Sequence, residues 1–257
     1  MPEEQNVQSQ PEQKFPSEII DLPSGGKIYG QGSPLYQGKI EVKYMTAKEE
    51  DILTSQNLIQ QGTVIDKLLE SLIVDKSIKL DDMMIGDKNA IMVAARVLGY
   101  GKEYEFTYDG VEQIVDLSTL EPEDMDFDKF TKGQNEFNFK LPNSEREITF
   151  KLLTSGDEKN ISAETKAKEK ISKEQSFELT TRLKNMILSV DGNSEKAYIN
   201  NFVDNEFLSR DSLAFREYLT SVTPDVNMTT KVKNSAGKET EVVIPVTLRF
   251  FWPSAGV

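Results

Sequence analysis

Apolar and polar residues first form a regular pattern in the N-terminal third of the chain. Residues 40–44 alternate with a period of two, which predicts a half-buried strand. Residues 46–49 have the spacing of a capping box and predict a helix to about residue 61. A third helix is predicted from Asp87, a good N-cap, to about residue 99. The second helix, between the capping-box helix and the one at Asp87, is predicted from the apolar stripe Val64, Ile65, Leu68, Leu69, Leu72 and Ile73.

Two β-hairpins are predicted in the middle of the chain. Residues 104–108 and 111–115 alternate on either side of Asp109-Gly110, a dipeptide favoured in two-residue turns with positive φ. Residues 137–141 and 148–152 flank a Pro-Asn-Ser turn in the same manner. This part of the chain is therefore expected to be a small β module.

Helical spacing returns in the C-terminal half. Residues 163–170 are highly charged, so they form either a solvent-exposed helix that bridges other elements or a partly disordered segment. Two short helices are predicted over residues 198–207 and 213–219, before Pro224. Beyond Val226, a C-terminal hairpin is predicted to run to an aromatic end. One buried helix ending near residue 191 is predicted from the stripe Leu179, Leu183, Ile187 and Val190.

These elements predict an α+β fold in four segments. Residues 1–17 are polar and acidic and are predicted to be a disordered tail. Residues 18–155 are predicted to form an N-terminal α+β domain with β-hairpins. Residues 156–223 form a helical region in this division, and residues 224–257 form the C-terminal β-hairpin.

Composition and charge exclude several classes of function. The 257 residues include no histidine and no cysteine, which excludes Ser-His-Asp and Cys-His catalysis, thiolate metal sites and disulfides. The formal net charge of −13 repels nucleic acids and anionic membranes and favours a basic or neutral protein partner. No membrane-spanning stretch and no signal peptide are recognisable, so the expected location is a cytoplasm.

Three groups of residues are candidates for metal binding or catalysis. Asp124, Asp126 and Asp128 have the spacing of calcium ligands, but a lysine follows where the loop requires glycine. Ser24 and Lys27 have the Ser-x-x-Lys spacing of a lysine-activated serine, without its companion motifs. The carboxylates at 49–51 suit acid–base work only if one is buried against an apolar wall. We therefore predict no catalytic residue, no metal and no cofactor.

The C-terminal aromatic residues are the candidate partner contact. Strand alternation would bury Phe250 and Trp252 on one face and leave Phe251 on the other. Two interpretations stay open at this point. The three rings pack in the chain's own core, or they contact a partner protein, where aromatic anchors are enriched.

Seven segments, in order along the chain, form a recognisable pattern. They are 22–30 (LPSGGKIYG), 45–54 (MTAKEEDILT), 95–104 (ARVLGYGKEY), 186–192 (MILSVDG), 210–219 (RDSLAFREYL), 223–226 (TPDV) and 244–253 (IPVTLRFFWP). Together they are spread over most of residues 19–253. This ordered set resembles the baseplate hub subunit family of T-even-type, contractile-tailed bacteriophages.

The resemblance implies a non-enzymatic phage protein required to assemble the central hub of the tail baseplate. Its partners would be other tail or hub proteins, with neither nucleic acid nor membrane involved, and its location the virion tail baseplate after assembly in the host cytoplasm. Two alternatives stay open. One is a tail assembly chaperone that shields the tape-measure or hub proteins and is absent from the mature virion. The remote one is a carboxylate-based cell-wall hydrolase using Glu49, Glu50 or Asp51.

One departure from that family is visible in the C-terminal hairpin. Members often carry a Cys-x-x-Cys pair in its turn, whereas residues 233–238 here read KNSAGK. The resemblance therefore implies a hairpin without a metal knuckle. We expect strand pairing and packing of residues 245–252 to hold it instead.

Overall fold

The computed structural model describes residues 16–172 and 176–251. Its helices and short strands form a mixed fold, and the α+β prediction is confirmed. The strands are β1 Ser17–Asp21, β2 Lys39–Lys43, β3 Glu103–Tyr108, β4 Val111–Asp116, β5 Phe137–Lys140, β6 Glu147–Phe150, β7 Ile187–Val190, β8 Thr229–Lys233 and β9 Glu239–Val243. The helices are α1 Ala47–Leu53, α2 Gln56–Gln61, α3 Val64–Leu72, α4 Ile85–Tyr100, α5 Ser155–Ile171, α6 Glu178–Met186, α7 Lys196–Asn201, α8 Ser209–Val222 and α9 Leu248–Phe251.

The N-terminal elements follow the sequence pattern with one interruption. β1 pairs antiparallel with β2, whose Ile40 and Val42 are buried as predicted. The helix predicted to run to residue 61 is in fact two helices, because Ser55 has an extended backbone and caps α2. The preceding Thr54 hydroxyl donates to the Glu50 carbonyl oxygen at 3.1 Å. Such side-chain bonds compete with helix continuation and accompany the break.

Helix α4 begins earlier than the sequence indicated. Its N-cap is Met84, so the prediction that Asp87 caps it is wrong. Asp87 lies inside the first turn, fully buried, and accepts hydrogen bonds from a distant loop rather than from its own helix. Asp87 does not cap the helix because its buried carboxylate needs hydrogen-bond donors, and Ser24 of the distant loop supplies them.

The middle of the chain forms the two predicted hairpins, and one of them gains a strand. β3 and β4 pair around Asp109 and Gly110, both with positive φ. β5 pairs with β6, and β7 adds to the other edge of β6. The predicted helical stripe from Leu179 to Val190 is therefore wrong beyond Met186. The β-branched residues of β7 are buried by sheet pairing, because β6 offers a free edge of backbone donors and acceptors.

Between residue 155 and Pro224 the described residues are mostly helical, with strand β7 between α6 and α7. The charged stretch 163–170 belongs to α5, which starts at a capping box formed by Thr154 and Asp157. Among its few inward-facing residues, Ile161 and Thr165 are buried. Of the two alternatives for this stretch, the structure shows the helix. Helix α7 continues into a short π-helical turn at Phe202–Glu206 before α8.

The C-terminal hairpin is shorter than the alternation suggested. β8 and β9 pair from Thr229 opposite Val243 to Lys233 opposite Glu239. The strand predicted to reach residue 252 ends at Val243, and α9 follows. Pro245 has no amide hydrogen for a ladder, which helps to end the pairing.

One large core cluster joins residues from all three segments predicted to be folded. It includes Leu68 and Ile91 from the first, Leu183 from the second and Phe250 from the third. The predicted division at residues 155 and 223 stays a prediction, although α5 begins and α8 ends close to those positions. Of the predicted tail, residues 1–15 lie outside the described residues, and Ser17 already begins β1.

Candidate functional site

A buried polar cluster joins the turn at residues 22–30 to helix α4. The Asp87 carboxylate accepts from the Ser24 amide at 2.9 Å, the Ser24 hydroxyl at 2.7 Å and the Tyr29 hydroxyl at 2.5 Å. The Tyr29 oxygen in turn accepts from the Met84 amide at 2.9 Å. Burial raises the pKa of Asp87, although the hydrogen bonds from Tyr29 and Ser24 oppose it. Burial likewise raises the pKa of Tyr29, and the neighbouring Asp87 raises it further.

This cluster does not have the arrangement of a lysine-activated serine. The Ser24 side chain is fully buried and donates to a carboxylate. The Lys27 ammonium lies over the Phe127 ring, 5.8 Å from its centroid. The Ser-x-x-Lys spacing seen in the sequence therefore belongs to a structural turn, in which Ser24 and Asp87 tie the loop to α4.

The carboxylates at 49–51 are separated by their surroundings. Glu49 is fully buried and accepts from the Lys43 ammonium at 2.7 Å, the Ser71 hydroxyl at 2.7 Å and the Thr46 amide at 2.9 Å. Burial alone would raise the pKa of Glu49, but these donors outweigh it and lower the pKa to about 2. A carboxylate held ionised in this way is unsuited to act as a general acid near neutral pH. Asp51, in the same helix, is exposed.

The acidic triplet at 124–128 is part of an exposed loop. Asp126 accepts from the Asp128 amide at 3.2 Å and caps a short 3₁₀ turn. Within residues 16–172 and 176–251, no three carboxylates converge as metal ligands do. The geometry therefore gives the calcium-like spacing no support in the part of the chain that the structure describes.

The aromatic end is divided between described and undescribed residues. Phe250 and Phe251 are both 0% exposed, so strand alternation did not predict the position of Phe251 correctly. The Phe250 ring meets the Tyr104 ring edge-on at a centroid distance of 4.9 Å. Both residues sit in helix α9, where neighbouring side chains can turn towards one core. Trp252 lies outside the described residues, and its contact with a partner stays a prediction.

The tip of the C-terminal hairpin is held by hydrogen bonds. Asn234 accepts from the amides of Ala236 and Lys238, at 3.0 and 2.9 Å. The Asp109 carboxylate, from the β3–β4 turn, accepts from the Ser235 amide at 3.0 Å and from its hydroxyl. The two hairpins are therefore joined tip to tip, a contact that the sequence pattern did not predict.

Two open apolar depressions flank the segment around Asp225. One, of about 530 Å³, lies between α4 and the C-terminal hairpin and is lined by Met92, Val93, Met228, Val243 and Val246 among others. The other, of about 430 Å³, lies between α6, α8 and the start of α4. Neither depression can be predicted from the sequence, because each is built from residues far apart in the chain. Such depressions are suited to receiving side chains of another protein.

Comparison with known protein families decides the class of this protein. Residues 16–252 match the sequence model of the family described as T4 bacteriophage base plate protein. The chain belongs to this family. Membership implies a place in the virion tail baseplate, among other phage baseplate proteins. No curated protein sequence and no solved structure matches this chain.

One sequence signal in this baseplate protein could have pointed to a binding surface. Residues 103–128 contain ten carboxylates and no lysine or arginine, so most of the net negative charge lies in this one segment. It forms the β3–β4 hairpin and the loop that leads to Asp128. Separately, none of the helices in the described ranges is long and apolar enough to span a bilayer.

Proposed function

We propose that this baseplate protein is a non-enzymatic hub protein required for assembly of the central hub of the tail baseplate. The partners in this proposal are other phage tail or hub proteins, the tape-measure protein among them. The observation that carries the proposal is the family match over residues 16–252. The open apolar depressions and the acidic segment support it, because they are surfaces that proteins use to contact one another.

The geometry of the polar clusters supports a non-enzymatic role. Two of the candidate catalytic side chains, Glu49 and Ser24, are buried. Glu49 pairs with Lys43, and Ser24 donates to Asp87. Neither group lines either apolar depression. The Glu49 carboxylate and the Ser24 hydroxyl thus join elements of the fold to one another.

The test is a phage carrying a deletion of this gene, compared with the same phage complemented by the intact gene. We expect lysates of the deletion mutant to contain baseplate intermediates that lack a central hub in electron micrographs. Complementation should restore complete tails. Complete, hub-containing baseplates in the deletion lysate would rule out the proposed requirement.

A second candidate is an assembly chaperone of the tape-measure or hub proteins that is absent from the mature virion. The concentration of charge in residues 103–128 favours it, because charge-driven contacts weaken as ions compete and so permit release. Mass spectrometry of purified virions separates the two candidates. A fixed copy number in virions supports the structural subunit, whereas abundance in lysate with absence from virions supports the chaperone.

A further inference from the structure

The smaller apolar depression has the features of a side-chain pocket. It has a volume of about 430 Å³ and is partly open to solvent. Two methionines line it, and methionine side chains adapt readily to the shape of an incoming group. Its apolar lining is Met84, Ile85, Leu152, Leu153, Met186 and Leu219.

The rim of this pocket is acidic. Glu158 and Arg182 lie on it and form a bidentate ion pair with each other, so the guanidinium charge is already matched. Asp225 accepts from the Asn89 side-chain amide at 2.9 Å. Glu123 is exposed and has no cationic partner among the described residues. The charge left unmatched at the rim is therefore negative.

The loop that begins at this rim extends the negative charge. Residues 121–128 carry five carboxylates and no basic residue, and Lys129 lies 3.7 Å from Asp126. The start of the loop is fixed in place by backbone hydrogen bonds. The Glu123 amide donates to the Asp225 carbonyl oxygen at 2.8 Å, and the Asn227 amide donates to the Glu121 carbonyl oxygen at 2.9 Å. Glu123, which lines the pocket, is thus held at the rim, and Glu121 and Asp124 lie close to it in the chain.

We propose that this acidic-rimmed pocket receives one apolar side chain from a lysine- or arginine-rich segment of another baseplate protein. The basic residues of that segment pair with Glu121, Glu123 and Asp124. Burial of a leucine-sized or phenylalanine-sized side chain removes apolar surface from water and so stabilises the complex. The surrounding charge supplies rapid association and selects a basic partner.

The charge of the rim determines which occupant is favoured. Nucleic acid and anionic lipid present phosphates, which the carboxylates repel. A second copy of this chain carries a net charge of −13 and is repelled in the same way. A basic segment with an apolar anchor satisfies both the lining and the rim. This proposal rests on the proposed function in one respect, that the protein acts through protein contacts.

The probe is a photo-crosslinking amino acid, p-benzoylphenylalanine, placed at Thr220 on the rim of the pocket in the full-length protein during phage infection. We expect it to capture another phage protein through a peptide in which an apolar residue is flanked by several lysines or arginines. The same probe at Asn57, an exposed residue of α2, should not capture that peptide. Capture of an acidic or neutral peptide, of this chain itself, or of nothing specific to Thr220 would overturn the proposal.

A matched pair of charge variants tests the role of the rim. Glu121→Gln, Glu123→Gln and Asp124→Asn, combined, should lower the yield of the crosslink from Thr220 about fivefold. Glu103→Gln, Glu105→Gln and Glu112→Gln, combined, remove equal charge from the β3–β4 hairpin and should leave the yield nearly unchanged. Unchanged thermal midpoints would show that both variants fold.

Equal loss in the two variants would mean that only net charge matters, and the pocket would then not be the site. Because the gene-deletion experiment uses no pocket variant, failure here would leave the proposed hub function standing.

Discussion

Some single residues in this protein bind partners that their local sequence does not indicate, because folding buries them beside distant groups. The Thr46–Glu49 capping box was predicted from spacing alone, and the Thr46 amide does donate to Glu49. The sequence did not predict that Lys43 and Ser71 would also donate to the same carboxylate. Local spacing specifies the cap, whereas the two extra donors arrive from β2 and α3 only after folding.

The Glu49 cluster predicts a pH-dependent stability. Glu49→Gln should lower the free energy of unfolding by about 3 kcal/mol at pH 7, since this is the free energy that corresponds to a pKa lowered from 4.5 to about 2. A depressed carboxyl pKa stabilises the folded state above the unfolded pKa. The difference between wild type and variant should therefore shrink as pH falls from about 4.5 to about 2. Urea unfolding of both proteins across this range measures it.

Asp51→Asn is the matched control for Glu49→Gln. Asp51 lies in the same helix but is exposed, so its replacement should change stability by less than about 0.5 kcal/mol at every pH. A difference for Glu49→Gln that does not change with pH would contradict an ionised, hydrogen-bonded Glu49.

At the scale of elements, helices were easier to predict than their exact limits and partners. The stripe in α3 has one buried face and was confirmed, with Val64, Leu68, Leu69 and Leu72 buried. The stripe beyond Met186 failed, because Ile187 and Val190 fit either a helical or a strand spacing. The free edge of β6 decided between the two, and it lies about 40 residues away in the sequence.

Helix α4 provides a test of close packing between elements. A Cβ atom added at Gly86 would lie 1.9 Å from the Pro224 carbonyl oxygen, a backbone atom that cannot turn aside. Gly86→Ala should therefore lower the free energy of unfolding by about 2–3 kcal/mol, although alanine is the better helix former. Thermal denaturation followed by circular dichroism measures the loss.

Gly99→Ala, near the other end of α4, is the matched control. The added Cβ would meet the terminal methyl of Met45, at the end of a flexible side chain. We expect stability within about 1 kcal/mol of wild type. If both glycine variants lose the same stability, helix propensity or a general effect on α4 is at work, and the contact with residue 224 is not the cause.

At the scale of the whole molecule, the C-terminal residues belong to the core. Ile244, Phe250 and Phe251 are buried, and the Tyr104 hydroxyl donates to the Pro245 carbonyl oxygen at 2.9 Å. The sequence predicted a C-terminal hairpin with a possible partner contact. It could not show that the two phenylalanines fill space beside α4 and β3, because that space is made by residues more than a hundred positions earlier.

This packing predicts cooperative unfolding. Phe250→Ala should lower the free energy of unfolding by about 3–5 kcal/mol, the usual cost of removing a buried phenylalanine ring. Near-ultraviolet circular dichroism, which reports packed tyrosines, and far-ultraviolet circular dichroism, which reports helices, should give coincident urea transitions. The control Val243→Ala, at a side chain 69% exposed, should change stability by less than about 0.5 kcal/mol.

Transitions that separate would favour the predicted division into domains at residues 155 and 223. A near-ultraviolet signal lost at lower urea than the helical signal would show that the packing around the tyrosines is lost before the helices unfold. In that case the shared core would contribute little to cooperativity.

The sequence by itself determined the elements whose signals are local. Capping spacing, the Asp-Gly turn and the single-faced stripe of α3 depend on neighbouring residues, so they could be predicted, and seven ordered segments were enough to suggest a phage baseplate family. Only the tertiary structure decided the partners of Asp87, the strand at Ile187–Val190, the burial of Phe251 and the acidic-rimmed pocket. Each of these depends on groups brought together from distant positions, and no spacing along the chain records which groups will meet.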